Sequence, residues 1–115
     1  MPDDSNKPFK TIALLGRAPG MSFQQFDDYW RNVHAPLAAK LPGVTKYTQR
    51  HIVPATPGGE PENEFGIDGL AVLEYENAAA VETAWASEAG IAALADVPNF
   101  LGKHYVVVLE DYDVV

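Results

Sequence analysis

The run Tyr105-Val106-Val107-Val108-Leu109 decides the architecture of this chain. All of it is apolar, and most of it favours extended backbone. Successive side chains of a strand point to opposite faces, so Val106 and Val108 lie on one side and Val107 and Leu109 on the other. Both faces of this strand are apolar. Two further stretches repeat the pattern: Ile12 and Leu14 against Ala13 and Leu15 in residues 10–15, and Leu70 and Val72 against Ala71 and Leu73 in residues 69–75. An antiparallel sheet with one wet face would alternate apolar and polar residues instead.

Between these strands the period changes. Ser22 and Gln25 have the spacing of a capping box, and Phe23, Phe26, Trp30, Val33 and Leu37 then recur on one helical stripe. Pro36 lacks a backbone donor and crowds the preceding turn, which predicts a kink or end near His34 and a short continuation to Lys40. Residues 44–53 read as a second strand. Thr45, Tyr47, Gln49, His51 and Val53 share one face and Val44, Lys46, Thr48, Arg50 and Ile52 the other; so much polarity places it at an edge. Residues 54–67 hold three prolines, three glycines and three glutamates, with Phe65 and Ile67 as the bulky apolar groups. That composition predicts a mobile loop that closes over a pocket mouth, with Phe65 available to touch a ligand. Asn77 is placed to cap a helix running through Trp85, Ser87 to cap another up to Asp96, and Pro98 ends it. The last strand is expected over residues 104–112, after a disordered tail at 1–9 and within a single domain at 10–115.

The resulting order, βαββαβ, is that of the ferredoxin-like α+β plait, an antiparallel sheet with both helices on one face. Two helices cover one side of a sheet whose strands are apolar on both. The uncovered side therefore calls for a partner, and a second copy related by a two-fold axis supplies a matching surface. Two plaits packed sheet to sheet make a homodimeric α+β barrel.

Composition narrows the function. The 115 residues suit one domain with a real core. Sixteen Asp and Glu against eight Lys and Arg give a net charge of -8, which disfavours nucleic acid and anionic membranes as partners. No cysteine is present, so disulfides, thiolate metal sites and a cysteine nucleophile are excluded. No run of eighteen apolar residues exists to span a bilayer, and the opening residues, with Asp3, Asp4 and Pro8, do not form a signal peptide. A cytoplasmic location is expected. Three separated histidines have no metal-ligand spacing, so no metal is expected, and no phosphate-binding glycine loop or nucleophile elbow occurs.

The remaining candidates are histidines and aromatics. At about 100° per residue His34 falls at the edge of the sector of Phe23, Phe26, Trp30 and Leu37, so it points at the sheet. Tyr47 and His51 share a strand face. A pocket with catalytic His34, Tyr47 and His51, walled by Phe23, Trp30 and Phe65, is therefore expected to take a small organic molecule. Imidazole moves protons near neutral pH and a phenol donates to a developing oxyanion, which suits proton transfer next to a carbonyl. The alternative for His34 is a hydrogen-bonded core residue, for Tyr47 an ordinary strand tyrosine, and for His104 simply the start of the last strand.

The stretch Phe26-Asp27-Asp28-Tyr29-Trp30-Arg31-Asn32-Val33-His34-Ala35-Pro36-Leu37, followed by Leu41-Pro42-Gly43 and Tyr47, resembles the EthD-like family of dimeric α+β barrel proteins. Asp68-Gly69-Leu70-Ala71, Glu74-Tyr75, Ser87-Glu88-Ala89-Gly90 and Asn99-Phe100 extend the likeness over nearly all the chain after Lys10. The resemblance implies one of several outcomes. Some such proteins are methylmuconolactone isomerases, with pocket residues at the positions of His34 and Tyr47. Others are dehydratases or decarboxylases that tailor polyketides, and the founding member accompanies an ether-degrading system. Related barrels bind haem through histidine. The resemblance leaves open a cofactor-free lyase or isomerase acting on a small cyclic or aromatic carbonyl compound, and a non-catalytic binding protein of a catabolic operon.

Overall fold

The computed structural model describes residues 6–59, 61 and 63–115. Its sheet has four antiparallel strands: β1 (Phe9–Arg17), β2 (Val44–His51), β3 (Gly69–Tyr75) and β4 (Leu101–Leu109), in the order β2-β3-β1-β4. Between β1 and β2 run α1 (Phe23–Tyr29), a π turn (Trp30–His34) and α2 (Ala35–Ala38); between β3 and β4 run α3 (Ala79–Ala86), α4 (Glu88–Asp96) and a 3-10 turn (Val97–Asn99). This is the expected ferredoxin-like α+β plait. No helix among the described residues is long and apolar enough to cross a membrane.

Register assigns each residue a face. On one side the rows read His51, Gly69, Leu15, His104, then Gln49, Ala71, Ala13, Val106, then Tyr47, Leu73, Thr11, Val108. The buried core lies on this side, where Leu15, Ala71, Leu73 and Tyr75 meet Phe26, Trp30, Ala84 and Phe100. The opposite rows, Arg50, Leu70, Leu14, Tyr105 and Thr48, Val72, Ile12, Val107, carry no helix.

Local chemistry explains the elements. The capping box forms as expected, Ser22 Oγ accepting from the Gln25 N–H and Gln25 Oε1 from the Ser22 N–H. Asn77 Oδ1 accepts from the Ala80 N–H, and Ser87 Oγ from the Gly90 N–H, so both chosen residues cap. Around Pro36 the helix neither ends nor breaks. It widens into the π turn, in which the Ala35 N–H reaches back to the Trp30 carbonyl. A wider turn advances less per residue. Val33 therefore leaves the apolar stripe and is 45% exposed, while His34 turns inward at 8%.

Several strand boundaries differ from expectation. The tail proposed for residues 1–9 lies partly outside the described residues, but Phe9 already belongs to β1, with its ring 6.4 Å from that of Tyr75. β2 stops at His51. β4 begins at Leu101, opposite Arg17, and ends at Leu109, because β1 continues through Gly16 and Arg17 by way of an irregularity and offers β4 a partner there.

Candidate active site

Between the helix-covered face of the sheet and the helices lies a cavity of about 330 Å³. Trp30, Tyr75, Trp85 and Phe100 give it aromatic walls, and no Lys, Arg, Asp or Glu among the described residues lines it. It sits at the small end of ligand sites. His34 and Tyr47 both line it, as expected, and so does Trp30.

His34 is held from behind. Its Nδ1 lies 2.9 Å from Asp96 Oδ2 at the end of α4, and its ring packs on Phe100 with centroids 4.6 Å apart. Asp96 Oδ1 accepts from the Tyr29 hydroxyl at 2.5 Å and from Asn99 Nδ2 at 3.1 Å. Burial works against the Asp96 charge, but the hydrogen bonds from Tyr29, Asn99 and His34 outweigh it and hold the carboxyl below the ordinary carboxylate range. A carboxylate can only accept, so Nδ1 carries the proton of a neutral His34. Nε2 is left without a partner among the described residues, and no side-chain nitrogen there is both buried and unsatisfied. His34 lines the cavity, and Nε2 is the ring nitrogen it has free, with a lone pair to offer.

Tyr47 stands on β2. Burial pushes its phenol up, with the side chains of Gln49 and Trp30 pulling the other way. At neutral pH it is a phenol and a donor. Gln49, two residues on, gives it a hydrogen bond of 3.0 Å.

Three expected site residues lie elsewhere. His51 is on the right strand face but off the cavity wall; its ring packs on Trp30 at 4.4 Å, and its nitrogens are taken by Asp27 and Gln49. Phe23 opens α1 at partial exposure and does not line the cavity. Phe65 is 75% exposed and sits beside Leu14 and Tyr105, residues of the uncovered face. The turn that holds it is built on Asn63, whose Oδ1 accepts from the Phe65 and Ile67 N–H groups. In place of these, His104 lines the cavity, because the register of β4 on β1 puts it beside Leu15 on the covered face. Asp96, Tyr29, Asn99 and Gln49 drew no attention in the sequence as site residues. Gln49 alone had a signal there, its position between Tyr47 and His51 on one strand face. No three His, Cys, Asp or Glu side chains among the described residues converge as a metal site.

The EthD domain pattern matches residues 18–104. Among solved structures, the chain is similar to an EthD family protein of Bacillus halodurans, at 28% identity and a TM-score of 0.71, covering 91% of this chain and 99% of that one. A dimeric ferredoxin-like protein of unknown function from Thermobifida fusca is 16% identical, with 89% of each chain covered and a TM-score of 0.66. SnoaB, a cofactor-independent oxygenase from Streptomyces nogalater, is 10% identical over 94% of this chain and 96% of its own, at a TM-score of 0.63. The last two share the fold alone. No curated protein matches the chain significantly.

Proposed function

The chain belongs to the EthD domain family, and from that premise and the inner cavity we propose that it is a cofactor-independent isomerase or lyase moving protons on a small cyclic or aromatic carbonyl compound. One observation carries the reading: His34, its Nδ1 fixed by a buried carboxylate, lines a cavity that Tyr47 also lines. In the reaction, Nε2 takes a proton from the carbon next to the carbonyl. The C–H electron pair becomes the enolate double bond, and the carbonyl oxygen takes the negative charge, where the Tyr47 O–H donates to it. The imidazolium so formed faces Asp96. Return of the proton to a different carbon completes an isomerisation; in a dehydration the enolate pair forms the new C=C bond and the β-hydroxyl leaves with the C–O pair, taking the imidazolium's proton to depart as water.

Aromatic walls without a charged side chain favour a flat, uncharged substrate. The same walls support the second reading, a non-catalytic binder. Both are separated by incubating the protein in D2O with a panel of small cyclic ketones and unsaturated lactones and following exchange next to the carbonyl by NMR. Wild type is expected to exchange at least one compound, and His34→Gln to lose about 10²- to 10⁴-fold of the rate. Binding without exchange, equal in both proteins, would leave only the binder.

A second copy is the proposed partner. The rows without a helix are apolar at their centre, and there β4 exposes Tyr105 and Val107 by 74% and 41%.

A further inference from the structure

Gln49 is half-buried on β2, between Tyr47 and His51 in sequence and on the same face of the strand. Its amide orientation is determined by its surroundings. The backbone carbonyl of Trp30 can only accept, and it stands 3.0 Å from Gln49 Nε2, so that end is the NH2 group. The carbonyl end, Oε1, then faces His51 Nε2 at 2.8 Å and accepts from it when that nitrogen carries a hydrogen. Asp27, itself paired with Arg31 at 3.3 Å, takes the other nitrogen of His51.

An amide NH2 has two hydrogens. One goes to Trp30, and the second goes to the Tyr47 hydroxyl oxygen at 3.0 Å. The Tyr47 oxygen is therefore an acceptor toward Gln49, and its own hydrogen is free to turn away from the amide. Tyr47 lines the cavity. Trp30 serves the network at two points, since its carbonyl also accepts from the Ala35 N–H in the π turn. The widened turn and the cavity wall thus share one atom.

We propose that Gln49 is a positioning residue that fixes the Tyr47 hydroxyl as a hydrogen donor to the cavity, held in that orientation by Trp30 and by His51 with Asp27. This rests on the reading of Tyr47 as the oxyanion donor and gives it a cause. It also gives His51 a role at one remove: the histidine sets the amide and touches no substrate. A donor toward the phenol oxygen stabilises the charge that oxygen gains when it shares its hydrogen with an oxyanion, so Gln49 strengthens Tyr47 as well as aiming it.

The test needs no substrate. With 3-fluorotyrosine in place of tyrosine, the phenol ionises at lower pH and its 19F resonance reports the event; Tyr47→Phe assigns the signal. In Gln49→Met, and in the smaller Gln49→Leu should the first not fold, the Tyr47 midpoint is expected to rise by about one pH unit, the effect of losing one donor to the charged form. The signals of Tyr29, Tyr75, Tyr105 and Tyr112 should stay in place and show that the fold is intact. His34, Tyr75 and His104, the other titratable groups on the cavity wall, are untouched by these variants. A Tyr47 midpoint that stays put or falls in the folded variants would overturn the role of Gln49. That result leaves exchange in D2O untouched, just as failure of the exchange assay leaves the titration standing.

Discussion

A carboxylate among aromatic rings keeps its charge only when donors surround it, and Asp96 draws its donors from Tyr29, His34 and Asn99. Asp96→Asn is the sharpest single change. Its NH2 can turn to Nδ1 of His34 and move the ring proton to Nε2, which converts a base into a donor; turnover is expected to fall about 10²- to 10⁴-fold. The buried side chain also contributes stability, about 1–3 kcal/mol at neutral pH. Because the folded carboxyl titrates below its ordinary range, this contribution is fully present above that range and is lost as pH falls through the folded value. Urea midpoints of the two proteins should therefore converge on acidification below about pH 4, and a gap constant with pH would contradict the assignment. His34 and Tyr47 were legible in the sequence because helix and strand periods fix which way they point. Asp96 was not, since 62 residues separate it from His34 and only the packing of α4 against α2, which follows His34 directly, brings them together.

Elements set the shape of the cavity, and Trp30 of its wall packs closely on β3 at Gly69. A Cβ on Gly69 would stand 2.4 Å from Cζ3 and 2.9 Å from Cη2 of Trp30. The indole cannot retreat, being fully buried with Phe26 at 5.5 Å and His51 at 4.4 Å between ring centroids. Gly69→Ala is expected to cost about 1–3 kcal/mol and to displace the cavity wall. A lowered melting temperature with altered Trp30 fluorescence, read in a Trp85→Phe background, checks this; an unchanged protein would show that the ring has room. The element order was readable in advance from caps and periods, because Ser22, Asn77 and Ser87 act within a few residues of themselves. The π turn was not readable. Pro36 signals trouble in a helix, but whether the chain breaks, kinks or widens depends on what Trp30 and His34 pack against. The start of β4 was likewise hidden, since Leu101 joins the sheet only because Arg17 is there to pair with it.

At the scale of the whole molecule the question is what covers the second face of the sheet. Its central rows place Leu14, Leu70, Ile12 and Val72 side by side, with Lys10, Lys46, Arg50 and Glu74 among the surrounding positions. That arrangement is apolar at the centre and charged at the rim, as in a dimer interface. Phe65, which stands beside Leu14 and Tyr105, adds a large exposed ring to the same side. Val107 belongs to a central row and is 41% exposed in the single chain. An Asp placed there keeps its hydration in a monomer but loses it between two sheets, where an unpaired charge costs several kcal/mol. Val107→Asp is therefore expected to sediment as a folded monomer, with wild-type circular dichroism, at micromolar concentrations where wild type sediments as a dimer. A wild-type monomer under those conditions, or a variant that dimerises as tightly as its parent, would mean that this face is covered by something other than a second copy.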